Sequence, residues 1–323
     1  MRKWVKAGLA GLAMTGALAA TPAWSQFSKM VVFSDSMSDT YRYFQWNEVL
    51  FGTGYPQPPA YEGRFCDGLV AVEFLAQGLN VPIENYSFAG ALTGYTTLLP
   101  GVMLGVLTQV NEHLNKKALL PTLTTVPILS TFTSWLPFTG RADPKALYVI
   151  WAGPDDFYNL GGFNSTTAYT ATLNIQQAVT SLYNAGARYF FIPTMPDLSI
   201  TPRARQRDQS SPGYIADAKK YSEQFETVLN NGIKNLQSRY PKAKIMTFDT
   251  NKLLREETAK AIAEGKNVTD ACHPGGLNLT QFEENRPVCP DPYNYLFWDD
   301  NHPTEYANGI LGRAWVDAIV HKP

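Results

Sequence analysis

The chain has 323 residues, of which 45% are hydrophobic and 17% are charged, and its formal net charge is -1 at pH 7. This length and apolar content are enough for a large buried core, and a single α/β domain can reach this size. The nearly balanced charge gives no indication of binding to nucleic acid or to an anionic membrane surface.

The first 25 residues have the pattern of a secretory signal peptide. Three basic residues lie within the first six, the apolar stretch 7–20 is too short to span a bilayer, and small residues at 23–25 offer a cleavage site. We therefore expect export of the mature chain 26–323 to the periplasm or the extracellular space. An uncleaved anchor is the alternative. No later stretch reaches membrane-spanning length without charged residues, so we expect no transmembrane span.

Short runs of aliphatic, β-branched and aromatic residues predict five strands, over Met30–Ser34, Glu84–Phe88, Ala146–Ala152, Arg188–Pro193 and Lys244–Asp249, of which the first is predicted to be buried. Apolar residues at helical spacing predict helices over Leu69–Gly78, Thr166–Ala185 and Pro212–Tyr240. Strands that alternate with helices are typical of βαβ units. The sequence therefore predicts one α/β domain with a parallel sheet and no internal repeat.

Two segments stand apart from this pattern. The segment 96–140 is apolar with very few charges, and it either caps a cleft and holds an acyl chain or forms helices packed on the sheet. The segment 201–211 is polar and contains Arg203, Arg205 and Arg207. A solvated loop is one interpretation of this second segment, and contact with a phosphate group is the other.

The chain contains three cysteines. Cys272 and Cys289 flank a segment rich in Gly, Pro and Asn, and we expect them to form a disulfide that leaves Cys66 free. A pairing that uses Cys66 is the alternative. Exported proteins form such bridges, and closing a loop of about 15 residues contributes roughly 3 kcal/mol in the chain-entropy treatment.

A serine lies just beyond the first predicted strand, where open parallel sheets place their reactive groups. This residue is Ser36, and His302 follows much later with Asp299 three positions before it. A hydroxyl nucleophile needs a base, and the base needs a carboxylate to orient it. Ser36, His302 and Asp299 supply the three groups. The other histidines are predicted to be structural or exposed: His113, His273 and His321.

Several short blocks resemble those of the GDSL, or SGNH, serine hydrolases. Residues 33–39 (Phe-Ser-Asp-Ser-Met-Ser-Asp) resemble the first block, Phe-Gly-Asp-Ser-Leu-Ser-Asp, and residues 299–304 (Asp-Asp-Asn-His-Pro-Thr) resemble the last, Asp-x-x-His-Pro-Thr. Residues 85–91 are similar to the block with an oxyanion-hole glycine, and residues 150–156 to the Gly-x-Asn-Asp block. Gly-Arg-Phe at 63–65 and Met-Pro-Asp-Leu at 195–198 are similar to the bacterial lipase and acyltransferase branch. Together the blocks span roughly residues 29 to 315, in the order of the family.

The resemblance implies a flavodoxin-like three-layer α/β/α sandwich and attack of Ser36 on an acyl ester. The amides of Ser36 and Gly90 are then oxyanion donors. Asp155 stands where the family has an asparagine as third donor. It is held protonated, or it faces away, or another group or a water donates instead. Ser34 stands where the family has a glycine, and we expect this difference to affect the turn.

The resemblance also implies no metal and no organic cofactor. It favours (lyso)phospholipids as substrates, with water or an alcohol such as a sterol as acceptor of the acyl group, since the branch includes phospholipases, lysophospholipases and glycerophospholipid:cholesterol acyltransferases. In related enzymes the loop corresponding to 272–289 is cut, so a processing protease is an expected partner. The alternatives are an esterase for carbohydrates or small esters on the same fold, and a non-catalytic lipid-binding protein with Asp155 marking a decayed site.

Overall fold

The computed structural model describes residues 26–115, 140–159, 162–275 and 286–321. The predicted signal peptide therefore lies outside the described residues. The same is true of 116–139 in the apolar segment and of 276–285 in the disulfide loop.

Five parallel strands form the central sheet: β1 (Met30–Ser34), β2 (Ile83–Asn85), β3 (Leu147–Trp151), β4 (Tyr189–Pro193) and β5 (Lys244–Phe248). Their order is β2-β1-β3-β4-β5. After β2 the chain crosses to the other side of β1, so the order in which strands are added reverses between β1 and β3. All residues of β1 and β3 are buried, as expected for strands covered on both faces. Ser34 pairs with Trp151, so the segments that follow β1 and β3 leave the sheet side by side at the point where open α/β sheets bind ligands.

The helices of the described residues are α1 (Arg42–Phe51), α2 (Ala71–Leu79), α3 (Val106–Asn115), α4 (Pro154–Tyr158), α5 (Ser165–Ala185), α6 (Pro202–Ser210), α7 (Tyr214–Arg239), α8 (Thr250–Ala263) and α9 (Glu305–Val320). One face of the sheet packs against α3, α5 and α7, and the other against α2 and α9. The predicted three-layer α/β/α sandwich is therefore confirmed. Within the described ranges, no helix has both the length and the apolar character needed to cross a bilayer.

The predicted strand Glu84–Phe88 is shorter in the structure, because Asn85 ends it. The Asn85 side chain donates to the carbonyl of Ser38 at 2.7 Å and accepts the amide of Ser87 at 3.0 Å. These bonds turn the chain toward the segment that carries Ser36. The early end of β2 thus places the Asn85 side chain where it bonds the turn that carries Ser36.

The interpretation of 201–211 as a loop is wrong, since residues Pro202–Ser210 form α6. Thr201 caps the helix, with its hydroxyl accepting the amide of Ala204 at 3.2 Å, and Pro202 occupies the first turn. The segment has no apolar stripe from which a helix is recognised. Its start is set by this cap.

In the described part of the apolar segment 96–140, α3 has eight of its ten residues buried. It packs against β1 and α5 in the larger core cluster. This part of the segment therefore corresponds to the expected helix packed on the sheet.

A smaller parallel pair, β6 (Asn267–Ala271) and β7 (Tyr295–Phe297), follows α8. The strand β7 leads directly into the block that contains Asp299 and His302. A backbone bond from Cys272 to the carbonyl of Phe297, at 2.9 Å, continues this pairing to the edge of the block.

Candidate active site

Ser36 lies in a tight turn directly after β1. The carbonyl of Asp35 accepts the amides of Ser38 and Asp39, both at 3.1 Å, and its carboxyl oxygen Oδ1 accepts the amide of Met37 at 2.9 Å. Ser36 is 9% exposed at the tip of this turn. Ser34 belongs to the strand itself rather than to the turn, and its hydroxyl donates to the carbonyl of Trp151 on β3.

His302 and Asp299 approach Ser36 from the block after β7. The Nε2 atom of His302 lies 2.7 Å from the hydroxyl oxygen of Ser36, and its Nδ1 lies 2.8 Å from both carboxylate oxygens of Asp299. Asp299 also accepts the amides of Asn301 and His302, each at 2.8 Å. These two amides hold the carboxylate in the position from which it orients the imidazole. The hydroxyl, imidazole and carboxylate form one hydrogen-bonded line.

The imidazole of His302 is also held by an aromatic side chain. The ring of Phe65 lies 5.0 Å from it, centroid to centroid, and is itself buried among aromatic residues. The neighbouring Arg64 makes two bonds to Glu73, at 2.7 and 2.8 Å, and these anchor the segment of Phe65 to α2. The block at 63–65 thus contributes packing against the base, a role that the sequence did not indicate.

Gly90 lines the same cleft as His302, in a backbone conformation with φ 79° that favours glycine. Within the described residues, neither the Ser36 amide nor the Gly90 amide donates to another protein group. Both amides are therefore available to an oxyanion in the cleft.

Asp39 links the turn of Ser36 to the segment of Gly90. Its Oδ1 accepts the amides of Tyr41 and Arg42, and its Oδ2 accepts those of Tyr43 and Ala89, at distances from 2.7 to 3.0 Å. Ala89 directly precedes Gly90. Asp39 is fully buried, and burial raises its pKa to about 6 against the opposing effect of these four amides.

Asp155 lies in the first turn of α4 and lines the same cleft as Ser36 and Gly90. It therefore does not face away from the site. Its Oδ2 atom is buried and has no hydrogen-bond partner among the described residues. The next residue, Asp156, accepts the amide and hydroxyl of Thr93 at 2.9 and 2.8 Å, which ties α4 to the segment after Gly90.

The carboxyl groups beside Ser36 favour their neutral forms. Burial first, and then the charges of Asp35 and Asp156, raise the pKa of Asp155 well above its usual range, against the opposing charge of Arg203. Burial likewise raises the pKa of Asp35 to about 7, although the Met37 amide and the charge of His302 lower it. Two buried carboxyls that oppose each other's ionisation titrate as a pair. Burial and the acidic neighbours of Asp155 therefore favour its neutral form over its carboxylate.

The cleft that contains Ser36 and His302 has largely apolar walls. They come from the segments around Leu98 and Ile200, from β7, and from α8 and α9, through Leu253, Leu254, Leu296, Phe297, Ile310 and Leu311. Leu98 is the residue that the described part of the apolar segment contributes to this wall. Polar and charged side chains also line the cleft, among them Asp155, Arg203 and Glu257.

The predicted disulfide between Cys272 and Cys289 is present, and Cys66 is free and buried. The backbone amide of Cys289 donates to the carbonyl of Cys272 at 2.7 Å. The backbone amide of His273 donates to the carbonyl of Trp298 at 2.6 Å. The bridge therefore holds the chain directly beside the block of Asp299.

Two residues near the site, Asp35 and Asp39, were not assigned a role from the sequence, whereas the segment of Arg203 was given contact with a phosphate group as one interpretation. Asp35 and Asp39 lie inside the first block, so the signal was present, but only the structure shows which amides they bind. Arg203 was singled out for its charge and is brought into the cleft by α6. Among the described residues, no group of His, Cys, Asp and Glu side chains has an arrangement suited to a metal ion.

Comparison with known proteins places the chain in a family. The profile of the GDSL-like lipase/acylhydrolase family matches residues 30–315. A GDSL esterase/lipase of Arabidopsis thaliana is 26% identical over 287 residues, covering 78% of this chain and 73% of the relative. The thermolabile hemolysin of Vibrio parahaemolyticus is 26% identical over 293 residues, covering 86% of this chain and 60% of that protein. A solved carbohydrate acetylesterase from Sinorhizobium meliloti aligns over 91% of this chain and 98% of its own, with a TM-score of 0.44 and 13% identity.

The family match covers the turn after β1, the segment of Gly90, α4 and the block after β7 in one continuous alignment. The chain therefore belongs to the GDSL-like lipase/acylhydrolase family and is a carboxylic ester hydrolase.

Proposed function

We propose that the protein cleaves acyl esters of (lyso)phospholipids through an acyl-enzyme on Ser36. The observation that carries the proposal is the hydrogen-bonded line from Ser36 through His302 to Asp299, which opens into a cleft with apolar walls. A carbohydrate esterase needs polar groups for sugar hydroxyls, whereas Leu253, Leu254 and Leu311 suit an acyl chain. A binding protein without catalysis has no need of a serine placed 2.7 Å from an imidazole.

In the proposed mechanism, His302 Nε2 removes the proton of Ser36 as its oxygen attacks the ester carbonyl. The amides of Ser36 and Gly90 stabilise the oxyanion, and a protonated Asp155 donates the third hydrogen bond in place of the family's asparagine. His302 then gives its proton to the leaving glycerol oxygen. Asp299 fixes the imidazole and stabilises its charged form throughout. Water, activated by the same histidine, releases the fatty acid.

An alcohol that enters in place of water would accept the acyl group. We include this transfer, with a sterol or another alcohol as acceptor, because the chain carries the Gly-Arg-Phe and Met-Pro-Asp-Leu blocks of the lipase and acyltransferase branch. The Vibrio relative supports a lipid substrate, since its name refers to haemolysis, an effect on a membrane.

We also propose that the protein is exported after removal of residues 1–25. The disulfide between Cys272 and Cys289 supports export, because such bridges persist in oxidising compartments. The location is then the periplasm or the extracellular space. Cleavage by a protease between the two cysteines remains part of the proposal, and it would leave the two parts joined by the bridge.

The test is a substrate panel with matched variants. We expect the wild-type protein to release fatty acid from lysophospholipids and diacyl phospholipids faster than acetate from acetylated sugars, and Ser36→Ala to abolish every activity. Ser38→Ala is the control, because Ser38 lies in the same turn but is not directed at His302. Preference for acetylated sugars would overturn the lipid assignment while leaving Ser36 as nucleophile. Full activity in Ser36→Ala would overturn the mechanism itself.

A further inference from the structure

The geometry points to Arg203 as the group that binds the phosphate of the substrate headgroup. This inference rests on the proposed function and names the part of the lipid that the enzyme recognises. Arg203 is the second residue of α6, and its side chain lines the cleft that contains Ser36 and His302. Its amide donates to the carbonyl of Asp300 at 2.9 Å, so α6 is joined to the block of the predicted base.

The guanidinium of Arg203 is held in place by an aromatic ring rather than by an acid. Its central carbon lies 4.2 Å from the centroid of the Tyr158 ring, at the end of α4. Stacking of this kind fixes the plane of the guanidinium and leaves its edge free to donate. The cation is therefore oriented before any substrate arrives.

The guanidinium of Arg203 has no carboxylate partner in the described part of the chain. No Asp or Glu oxygen there lies within ion-pair distance, and its Nε is buried without a hydrogen-bond acceptor. Other partly buried arginines are satisfied, since Arg42 pairs with Glu112 at 2.6 Å and Arg64 with Glu73 at 2.7 Å. The charge of Arg203 is thus not offset by an ion pair within the described residues, and a bound anion would supply the missing partner.

The two carboxyl groups whose pKa the charge of Arg203 lowers do not neutralise it. The charge of Arg203 lowers the pKa of Asp155. Burial and the charges of Asp35 and Asp156 raise this pKa more strongly and favour the protonated form. The charge of Arg203 also lowers the pKa of Asp300, yet burial raises this pKa above its usual value. The positive charge therefore remains available to a ligand.

The remaining walls identify which anion fits. The cleft combines the cation on α6 with apolar side chains of α8 and α9, such as Leu254 and Ile310, and its acid on α8, Glu257, is paired with Lys260 at 2.6 Å. Such a site matches an amphiphile with an anionic group close to its ester and an acyl chain beyond it. A guanidinium binds two oxygens of a phosphate through parallel N–H donors, which a glycerophospholipid supplies.

The test compares two substrates that differ only in the phosphate: a 1-acylglycerol and the corresponding 1-acylglycerol 3-phosphate, both below their micellar concentrations. We expect Arg203→Gln to lower kcat/KM for the phosphate ester by about 10- to 100-fold, and to change that of the neutral ester by less than about threefold. Arg203→Lys should fall between, because lysine keeps the charge without the paired donors. Arg205→Gln is the control, since Arg205 is exposed on the same helix.

A binding measurement separates this inference from the proposed function. Ether-linked analogues of the two lipids cannot be hydrolysed, so calorimetric titration reports recognition alone. The wild-type protein should bind the ether phosphate at least about tenfold more tightly than the neutral ether, and Arg203→Gln should lose this preference with an unchanged unfolding temperature. If the wild-type protein hydrolyses neither ester but keeps the preference, the proposed function fails and the phosphate site stands.

Three outcomes would overturn the inference. Equal losses for both substrates in Arg203→Gln would show that Arg203 only positions the site. Unchanged kinetics and binding would show that no anion is recognised there. Inhibition by free fatty acid that disappears in Arg203→Gln, without a change in phosphate selectivity, would assign the residue to the product carboxylate instead.

Discussion

The carboxylate of Asp39 accepts the amide of Ala89 at 3.0 Å, and this single bond joins the turn of Ser36 to the segment of Gly90. The two blocks lie about 50 residues apart in the sequence, at the ends of neighbouring strands. The nucleophile and the glycine of the proposed oxyanion hole are therefore placed relative to each other by a fully buried side chain that contacts neither the base nor the cleft.

Asp39→Asn should lower both stability and kcat. The asparagine side chain keeps one acceptor oxygen, but its NH2 group replaces an oxygen that accepts backbone amides in the wild-type protein. We therefore expect a loss of about 1–3 kcal/mol in the free energy of unfolding. The displaced Gly90 should reduce kcat about 10-fold or more, with a smaller change in KM. Asp291→Asn is the control, because Asp291 caps a short exposed turn. Unchanged kcat in folded Asp39→Asn would contradict the role of Asp39 in positioning Gly90.

The activity should depend on the protonation of Asp155. A neutral Asp155 donates to the oxyanion, whereas its carboxylate repels it, so the rate should fall as pH rises through the raised titration of the Asp35–Asp155 pair. Asp155→Asn keeps a donor that does not ionise and should retain activity at high pH. Asp155→Ala should lose about 100-fold where the wild-type residue is protonated.

The pH profile of kcat for these variants is the measurement, with exposed Asp270→Asn as control. A high-pH limb that persists in Asp155→Asn would show that another group causes it. A severe loss in folded Asp155→Asn would show that the carboxyl has a role that an amide cannot fill.

Asp35 should make the protein less stable as pH rises toward 7. Its pKa of about 7 in the folded protein lies above the ordinary value of 3.8, so the folded form binds the proton more tightly. This contribution is complete below about pH 4 and disappears as pH rises through 7. Asp35→Asn retains the acceptor for the Met37 amide but has no charge to bury. Relative to the wild type, it should gain stability between pH 5 and pH 8.

The gain between these two pH values is roughly 3 kcal/mol, since about two pKa units lie between pH 5 and the raised pKa and each corresponds to about 1.4 kcal/mol. Chemical unfolding at both pH values measures the difference. Asp39 is present in both proteins and its contribution cancels in the comparison. Asp155 and Asp156 do not cancel fully, because the charge of Asp35 raises the pKa of Asp155 and that of Asp156 raises the pKa of Asp35. A variant that is destabilised equally at both pH values would show that Asp35 is ionised and satisfied in the native site.

The Cys272–Cys289 bridge should support the block of the predicted base. Cys272 donates its amide to Phe297, two residues before Asp299, so loss of the bridge loosens the backbone that places Asp299 and His302. We expect the double change Cys272→Ser, Cys289→Ser to lower the free energy of unfolding by about 3 kcal/mol. At temperatures where the double variant is still folded, its kcat should also be lower than that of the wild-type protein.

Thermal unfolding and kinetics with and without reductant are the measurements. The wild-type protein should approach the double variant when reduced, and the double variant should not respond to reductant. A reduced wild-type protein with full activity and unchanged unfolding temperature would show that the bridge has no such role.

The sequence predicted the sheet closely because its strands are continuous apolar runs. Met30–Ser34 was predicted with the observed bounds, and the long helix Pro212–Tyr240 differs from α7 by two residues at the start and one at the end. By contrast, α6 and α8 were missed, because their polar faces dominate their composition and their starts depend on the caps Thr201 and Asp249.

The site was predictable to the extent that its groups lie in short blocks. Ser36, Asp299 and His302 were chosen from local pattern, and the structure brings them within hydrogen-bond distance. The stacking of Arg203 on Tyr158 and the packing of Phe65 on His302 join segments distant in sequence. No local pattern encodes such contacts, since they follow from how α4, α6 and the segment before α2 pack around the cleft.

The most direct test of the proposed mechanism is covalent labelling of the native protein with a fluorophosphonate, followed by peptide mapping. We expect one adduct per chain on Ser36, formed more slowly in His302→Ala, absent in Ser36→Ala and suppressed by an excess of lysophospholipid. An adduct that forms equally in Ser36→Ala, or a folded wild-type protein that is not labelled on Ser36, would contradict it.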